Sequence, residues 1–186
     1  MDYVNKIEND HYSINYNEYI NNFLNQLNIN TFIDNNKIIF KAESVVGLHH
    51  IDLAKIEKFI YDLMEQIILL KGVNKGILFF SLSDILVLNG KNFVFVNENK
   101  IYDLLDDRIN LFKLSNYKNL QFISPEIENI KRFPAKIYFT CSYYSLALLI
   151  LYVFKIKLEN LYFSSPYYFL IRCLHKIPQE RYLIYC

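Results

Sequence analysis

The chain has 186 residues, 53% of them hydrophobic and 21% charged, with 20 basic against 19 acidic side chains and a formal net charge of +1. A chain of that length buries roughly 70% of the surface its unfolded form exposes, so one domain with a real core is expected and two ordinary domains are not. The apolar content excludes disorder, and the even charge gives no polyanion-seeking surface.

Basic residues do not gather with aromatics on one helix face, so no nucleic-acid partner is expected. Cys141, Cys173 and Cys186 form no C-x-x-C pair for zinc or a redox disulfide, which fits a reducing compartment. Tyr 16 and Phe 15 stand beside Trp 0 and Gly 4, and eleven of the 21 asparagines precede Lys37. Such usage tracks an AT-rich coding sequence, so asparagine clusters are read as compositional drift.

In chain order, residues 1–15 read as a mobile arm, and Met1 to Asn30 is too polar for a secretory signal. Tyr16, Tyr19, Ile20, Phe23, Leu24 and Leu27 recur at helical spacing and predict a short amphipathic helix. Thr31 to Ile33 and Lys37 to Ala42 flank Asp34-Asn35-Asn36, the composition of a hairpin turn. Asp52 can cap a longer helix in which Leu53, Ile56, Ile60, Leu63, Ile67 and Leu70 alternate by three and four. Lys55, Lys58, Asp62 and Glu65 fall on its other faces, and Gly72 ends it. Ile85 to Leu88 and Phe93 to Val96 surround Asn89-Gly90, which tolerates the positive φ of a tight turn and predicts a second hairpin. Ile101 to Leu114 is short and charged. The remainder is expected to be helical, broken near Ser164-Ser165-Pro166 and Pro178.

Ile137 to Phe154 runs eighteen residues without a charge, the lower edge of a membrane-spanning length. Its first half is rich in Tyr, Thr, Ser and Cys. Lys131, Arg132, Lys136, Lys155 and Lys157 flank it on both sides, so no positive-inside asymmetry results. The stretch is read as a buried helix at the centre of a globular fold, with no membrane partner.

From about Leu53 onward the chain resembles the C-terminal lobe of protein kinases. Phe122 to Ile127 (FISPEI) resembles the end of an activation segment. Ser142 to Phe154 (SYYSLALLILYVF) resembles the buried central helix, and Tyr167 to Ile184 (YYFLIRCLHKIPQERYLI) the closing helices. The resemblance implies an α+β, mainly helical fold: a mobile arm (1–15), a rudimentary N-lobe (16–50) and a kinase-like C-lobe (51–186). It also implies a buried structural ion pair between Glu126 and Arg181.

The chemistry of the family is not matched by the letters. Phosphoryl transfer on this fold needs a glycine-rich loop, a strand lysine, an Asp to orient the acceptor hydroxyl, and an Asn and an Asp to hold Mg²⁺. The four glycines contain no G-x-G-x-x-G. Lys41 stands only forty positions before Ser81, too few for the intervening helix, strands and hinge. In Gly76 to Leu88 the His-Arg-Asp positions fall on Phe79, Phe80 and Ser81, a degenerate catalytic loop without a carboxylate. Asp84 falls where the metal-binding Asn would sit, and Asn97-Glu98-Asn99 stands where Asp-Phe-Gly should. Asn97 offers a neutral oxygen to a hard cation, and Glu98 could supply the charge only after a register shift. Ser142 takes the place of the Asp that braces the loop. His49, His50 and Asp52 are read as solvated rather than metal-binding.

The expectation is a catalytically inactive, pseudokinase-type domain that binds a protein partner and needs no cofactor. It resembles viral kinase-like proteins of large DNA viruses, which implies a host cytoplasm. The alternative is residual ATP-dependent protein kinase activity, with ATP and Mg²⁺ held through Asp84 and Asn97 or Glu98.

Overall fold

The structure is a computed structural model that describes residues 3–8, 10–114 and 120–185. Its fold is α+β, and among the described residues five helices and eleven strands in three antiparallel sheets alternate along the chain. Within residues 1–15, expected to be a mobile arm, two strands form instead. β1 (Val4–Glu8) pairs with β2 (His11–Asn15), and β2 with β4 (Lys37–Lys41), whose other neighbour is β3 (Thr31–Asp34). Polar letters hid the pattern, since β1 is mostly exposed and β2 buries Ser13 between Tyr12 and Ile14. The β3–β4 turn places Asn35 and Asn36 at φ 45° and 59°, the left-handed pair that a two-residue turn requires.

Helix α1 (Glu18–Gln26) begins where the Asn17 side chain accepts from the Tyr19 and Ile20 N–H groups. It buries Ile20, Phe23 and Leu24. Asp52 caps a 3₁₀ turn by accepting from Ala54 N–H at 2.8 Å, and the long helix α2 (Ile56–Gly72) follows directly. Its stop is Asn74 at φ 55°, not Gly72, which stays inside the helix.

The division placed at residue 50 is crossed by hydrogen bonds. β5 (Val45–Gly47) pairs with β7 (Ile85–Leu88), which forms the Asn89-Gly90 hairpin with β8 (Asn92–Phe95). Asp62 of α2 is also not a solvated face, because its side chain is fully buried. Its carboxylate accepts from Phe93 N–H at 3.0 Å, while the Gln66 amide donates to Phe93 O (2.7 Å) and accepts from Phe95 N–H (2.9 Å). Two helix side chains therefore satisfy the free edge of β8, groups that would otherwise be buried unpaired. Burial is what pushes the Asp62 carboxyl above its ordinary range, against the lowering effect of Lys58.

The short charged stretch from Ile101 carries strands, and so does part of the segment expected to be helical. β6 (Lys75–Ile77) pairs with β9 (Ile101–Leu105), β9 with β10 (Arg108–Leu111), and β10 with β11 (Ala135–Tyr138). Asp106 and Asp107 turn the β9–β10 hairpin at φ 51° and 57°. Strands and α-helices are thus close to balance, which corrects the mainly helical expectation.

The uncharged stretch from Ile137 divides accordingly. Its start belongs to β11, and helix α4 (Cys141–Val153) covers the rest. Leu146, Ala147, Leu149 and Ile150 of α4 are fully buried, whereas Tyr152 is 44% exposed. No helix among the described residues is long and apolar enough to cross a membrane. Two shorter helices, α3 (Pro125–Glu128) and α5 (Ser165–Cys173), complete the set.

One continuous core joins the first sheet, α1, α2, the β7–β8 hairpin, α4 and α5. Phe59 is central: its ring meets Phe93 edge-on at 4.8 Å and Phe154 at 5.5 Å. A second, smaller cluster of Leu78, Phe79, Ile109, Leu111, Ile127 and Cys141 lies under the second sheet.

Candidate functional site

The segment between β6 and β7 is the place where sequence reasoning put the chemistry, and its side chains are committed to one another. Phe79 and Phe80 are 4% and 0% exposed and face the two cores. A 3₁₀ turn over Leu82–Asp84 folds the loop back so that Asp84 lies beneath it, 1% exposed. The Asp84 carboxylate accepts from Ser81 N–H (2.8 Å), from the Asn97 amide (2.8 Å) and from Lys100 Nζ (2.5 Å). Lys100 Nζ also donates to Ser81 Oγ at 2.6 Å and stands 4.0 Å from the centroid of the Phe79 ring.

Lys100 reaches this position because Asn97 caps a short 3₁₀ turn over Glu98–Lys100, its side chain accepting from Asn99 N–H at 3.2 Å. The chain then enters β9, and Leu78 N–H donates to the Lys100 carbonyl at 3.2 Å. Burial lowers the Lys100 pKa from its ordinary value, and the Asp84 carboxylate, the second influence, pulls it back up.

This geometry decides how the sequence-predicted ligands stand. Asp84 and Asn97 do come together, but the Asn97 amide faces Asp84 with its N–H₂ group and spends its oxygen on a backbone N–H. Glu98 is not part of the cluster, since its carboxylate accepts from the Asn17 side chain at 3.1 Å at the surface. A divalent cation at Asp84 would meet an ammonium in the same place. The residues present do not fit Mg²⁺, which takes near-octahedral oxygen ligation. The cavity next to this turn, bordered by Tyr3, Ile14, Ile20, Val96, Glu98 and Asn99, holds about 200 Å³, below the roughly 300–1,000 Å³ of small-ligand sites.

Lys100 was missed in the sequence because it lies outside any expected motif. The signal available was chemical: a buried Asp84 needs a counter-charge, and Lys100 is the first cation after the β8 strand. The loop brace was also misplaced. Ser142 Oγ donates to Phe139 O within its own turn (2.8 Å), whereas Ser145, one helical turn on, accepts from Phe80 N–H at 2.8 Å.

The second expected pair is built from the two ends of the C-terminal part. Pro125 starts α3 after Ser124 and points Glu126 toward Arg181, which follows the 3₁₀ turn Pro178–Glu180. Arg181 Nη1 and Nη2 donate to Glu126 Oε1 (2.5 Å) and Oε2 (2.9 Å). The remaining N–H groups go to the carbonyls of His175 (2.8 Å), Thr140 (3.3 Å) and Lys176 (3.4 Å). All five guanidinium donors are satisfied, and the group lies 4.8 Å from the Tyr144 ring. Arg181 is 2% exposed as a residue, and its partner's side chain 18%.

The other candidates fall apart. Lys41 pairs with Asp10 at 3.0 Å, its side chain exposed at the end of β4. The His49 and His50 rings meet the carbonyls of Gly47 and Val153, and Asp52 caps its turn. Among the described residues no three His, Cys, Asp or Glu side chains are grouped to hold a metal. No protein-family model matches the chain, and no curated protein matches it.

Proposed function

We propose that the chain is a catalytically silent, kinase-like domain that works by binding a protein partner. The observation that carries this reading is the Lys100 ammonium 2.5 Å from Asp84, because it puts a tethered cation where the family's mobile one would be needed. Three further features support it. Ser81, in the place of the proton acceptor, is a hydroxyl bound to that same ammonium. The space beside Asn97 and Glu98 is small, and one core runs unbroken from the first sheet to α5 where a nucleotide crevice would have to open. The order of long helix, loop, hairpin, Pro-Glu segment, buried helix and closing helix, with Glu126 bound to Arg181, supports the likeness of scaffold. A viral origin and a host cytoplasmic setting belong to the same reading.

Residual kinase activity would require Lys100 to leave Asp84 and the core beneath α1 to part. The test is a melting experiment with ATP and Mg²⁺. A ligand at about 100 times its dissociation constant adds roughly 2.7 kcal/mol of stability, a shift of several degrees. No shift is expected at millimolar nucleotide, and a saturable rise in Tm dependent on Mg²⁺ would overturn the proposal.

A further inference from the structure

The first sheet ends on one side at β1 and on the other at β3. A strand at an edge presents unpaired N–H and C=O groups, and folded chains blunt such edges with charges and bulges. β1 is blunted in this way: Lys6 and Glu8 are exposed on it, and its register with β2 slips between them. β3 has no such protection over Thr31, Phe32 and Ile33. No charge falls there, and Phe32 and Ile33, on opposite faces, are each 55% exposed.

The turn fixes which backbone groups of β3 are free. A two-residue turn makes the pair that flanks it, Asp34 and Lys37, a hydrogen-bonded one, and the pairs alternate from there along an antiparallel ladder. Phe32 therefore directs its N–H and C=O to Ile39 of β4, whereas those of Thr31 and Ile33 point away from the sheet. Among the described residues nothing else takes these four groups. The start of the strand is already fixed, because Thr31 Oγ1 donates to Asn21 Oδ1 of α1 at 2.7 Å, so pairing there orders little new chain.

A second copy of the same strand, turned about a twofold axis through Phe32, meets all four groups. Thr31 then lies opposite Ile33 of the second copy and exchanges both bonds with it, and Ile33 does the same with Thr31 of the second copy. The two Phe32 rings meet at the closer, non-hydrogen-bonded position, where cross-strand side chains interact most. Each ring continues an apolar row with Ile39 of its own β4. Asp34 falls opposite Asn30, so no like charges oppose. Moving the axis to Ile33 would set Thr31 against Asn35, which belongs to the turn, and a carboxylate against each Phe32 ring.

We propose that two copies of the chain associate through β3, antiparallel about Phe32, and join their four-stranded sheets into one continuous sheet. So short a pairing buries less than the roughly 1,200 Å² of a stable interface, and a dissociation constant on the order of 100 µM is expected. The pairing holds whether or not the chain binds nucleotide.

The test is sedimentation equilibrium of the full chain from about 10 µM to about 1 mM, with hydrogen exchange followed at both ends of that range. The weight-average mass is expected to rise from 22.3 kDa toward twice that value. Exchange at Thr31 and Ile33 N–H is expected to slow severalfold with concentration, while Phe32 N–H, already bonded within the sheet, stays the same. Phe32→Lys, an exposed change, sets two like charges face to face and is expected to weaken association by about fivefold or more. Ile7→Lys, on the opposite edge, leaves it unchanged. A mass that stays at the monomer value up to about 1 mM, leaving the edge to a strand of another protein, overturns the pairing. So does a mass that climbs past the dimer, association without slowing at Thr31 and Ile33, or a Phe32→Lys variant that associates as the wild type does.

Discussion

Replacing Lys100 with methionine keeps most of its length and removes its charge, leaving the Asp84 carboxylate 1% exposed without a counter-ion. Breaking a buried pair by deleting one partner costs about 3–5 kcal/mol. Asp84 keeps its bonds from Ser81 N–H and the Asn97 amide, and Lys100 is itself 16% exposed, so the low end, about 3 kcal/mol, is expected. With a urea m-value of about 2 kcal/mol/M, the unfolding midpoint falls by roughly 1.5 M. Adding Asp84→Asn to Lys100→Met removes the stranded charge while keeping an acceptor, and recovers at least half of the loss. The double-mutant cycle then gives a coupling of about 1–3 kcal/mol. The pH dependence has a definite sign. The folded-state pKa of Lys100 is lowered, chiefly by burial, so between that value and about 10.4 the unfolded chain binds more protons and wild-type stability rises with pH. The variant lacks this contribution, so the gap between wild type and Lys100→Met widens over that interval. Tyr102 and Tyr143, both raised by burial, are common to the two proteins and cancel in the difference. A loss below about 1 kcal/mol, with no recovery in the double variant, would refute the idea that Lys100 is the resident cation.

Arg181→Met should cost about 3–5 kcal/mol by the same urea measurement, and Arg181→Lys should restore less than half, because one ammonium cannot serve five acceptors. Gln66→Leu leaves Phe93 C=O and Phe95 N–H unpaired in the core, for a loss of about 2–4 kcal/mol and faster hydrogen exchange at Phe95 N–H. Among the described residues the buried Ser124 hydroxyl has no partner, so Ser124→Ala should leave stability unchanged or raise it by up to about 1 kcal/mol. Burial pushes the Cys141 and Cys173 thiols far up. Both should resist a thiol reagent in the native chain and react in urea, and rapid native labelling of either would contradict their burial.

Periodicity and turn chemistry were readable where side chains report directly on the backbone. The alternation from Leu53 to Leu70 marks α2, and Asn89-Gly90 marks its hairpin. The failures have physical causes. The β9, β10 and β11 strands are four or five residues long and half-exposed, so their letters carry little alternation, and pairing across 25 residues decides them. Discounting asparagine as compositional drift hid a local function outside the two hairpin turns, because Asn28 and Asn74 also take positive φ, which Asn tolerates better than other side chains except Gly. Asp62 fell on a face away from the apolar stripe, and a helix pattern cannot say that a strand edge lies beside it. At the candidate site the sequence grouped Asp84 and Asn97 as ligands of Mg²⁺, whereas in the structure the Asn97 amide donates to Asp84 and only Asp84 meets a cation. That the cation is Lys100 depends on a three-residue 3₁₀ turn, below the length at which sequence patterns speak.

The loop without a proton acceptor is nonetheless held firmly, and this bears on what it does. Phe80 N–H is tied to Ser145 of α4, Ser81 N–H and Asn97 to Asp84, and Leu78 N–H to the carbonyl of Lys100. These bonds fasten one loop to α4, to the 3₁₀ turn after β8 and to β9 at once. A catalytic loop whose substrates come and go needs its charged groups free to meet them, whereas here each is consumed internally. Order of this kind does serve recognition: a surface already fixed before encounter spares the roughly 0.5–1.5 kcal/mol that each newly immobilised side chain would cost a complex. On the protein-binding reading proposed above, loosening the loop through Ser145→Ala should weaken partner binding through the association rate and the ordering cost. Unchanged affinity in that variant, with its loop shown by hydrogen exchange to be more open, would show that the rigidity of this segment has no part in the proposed recognition.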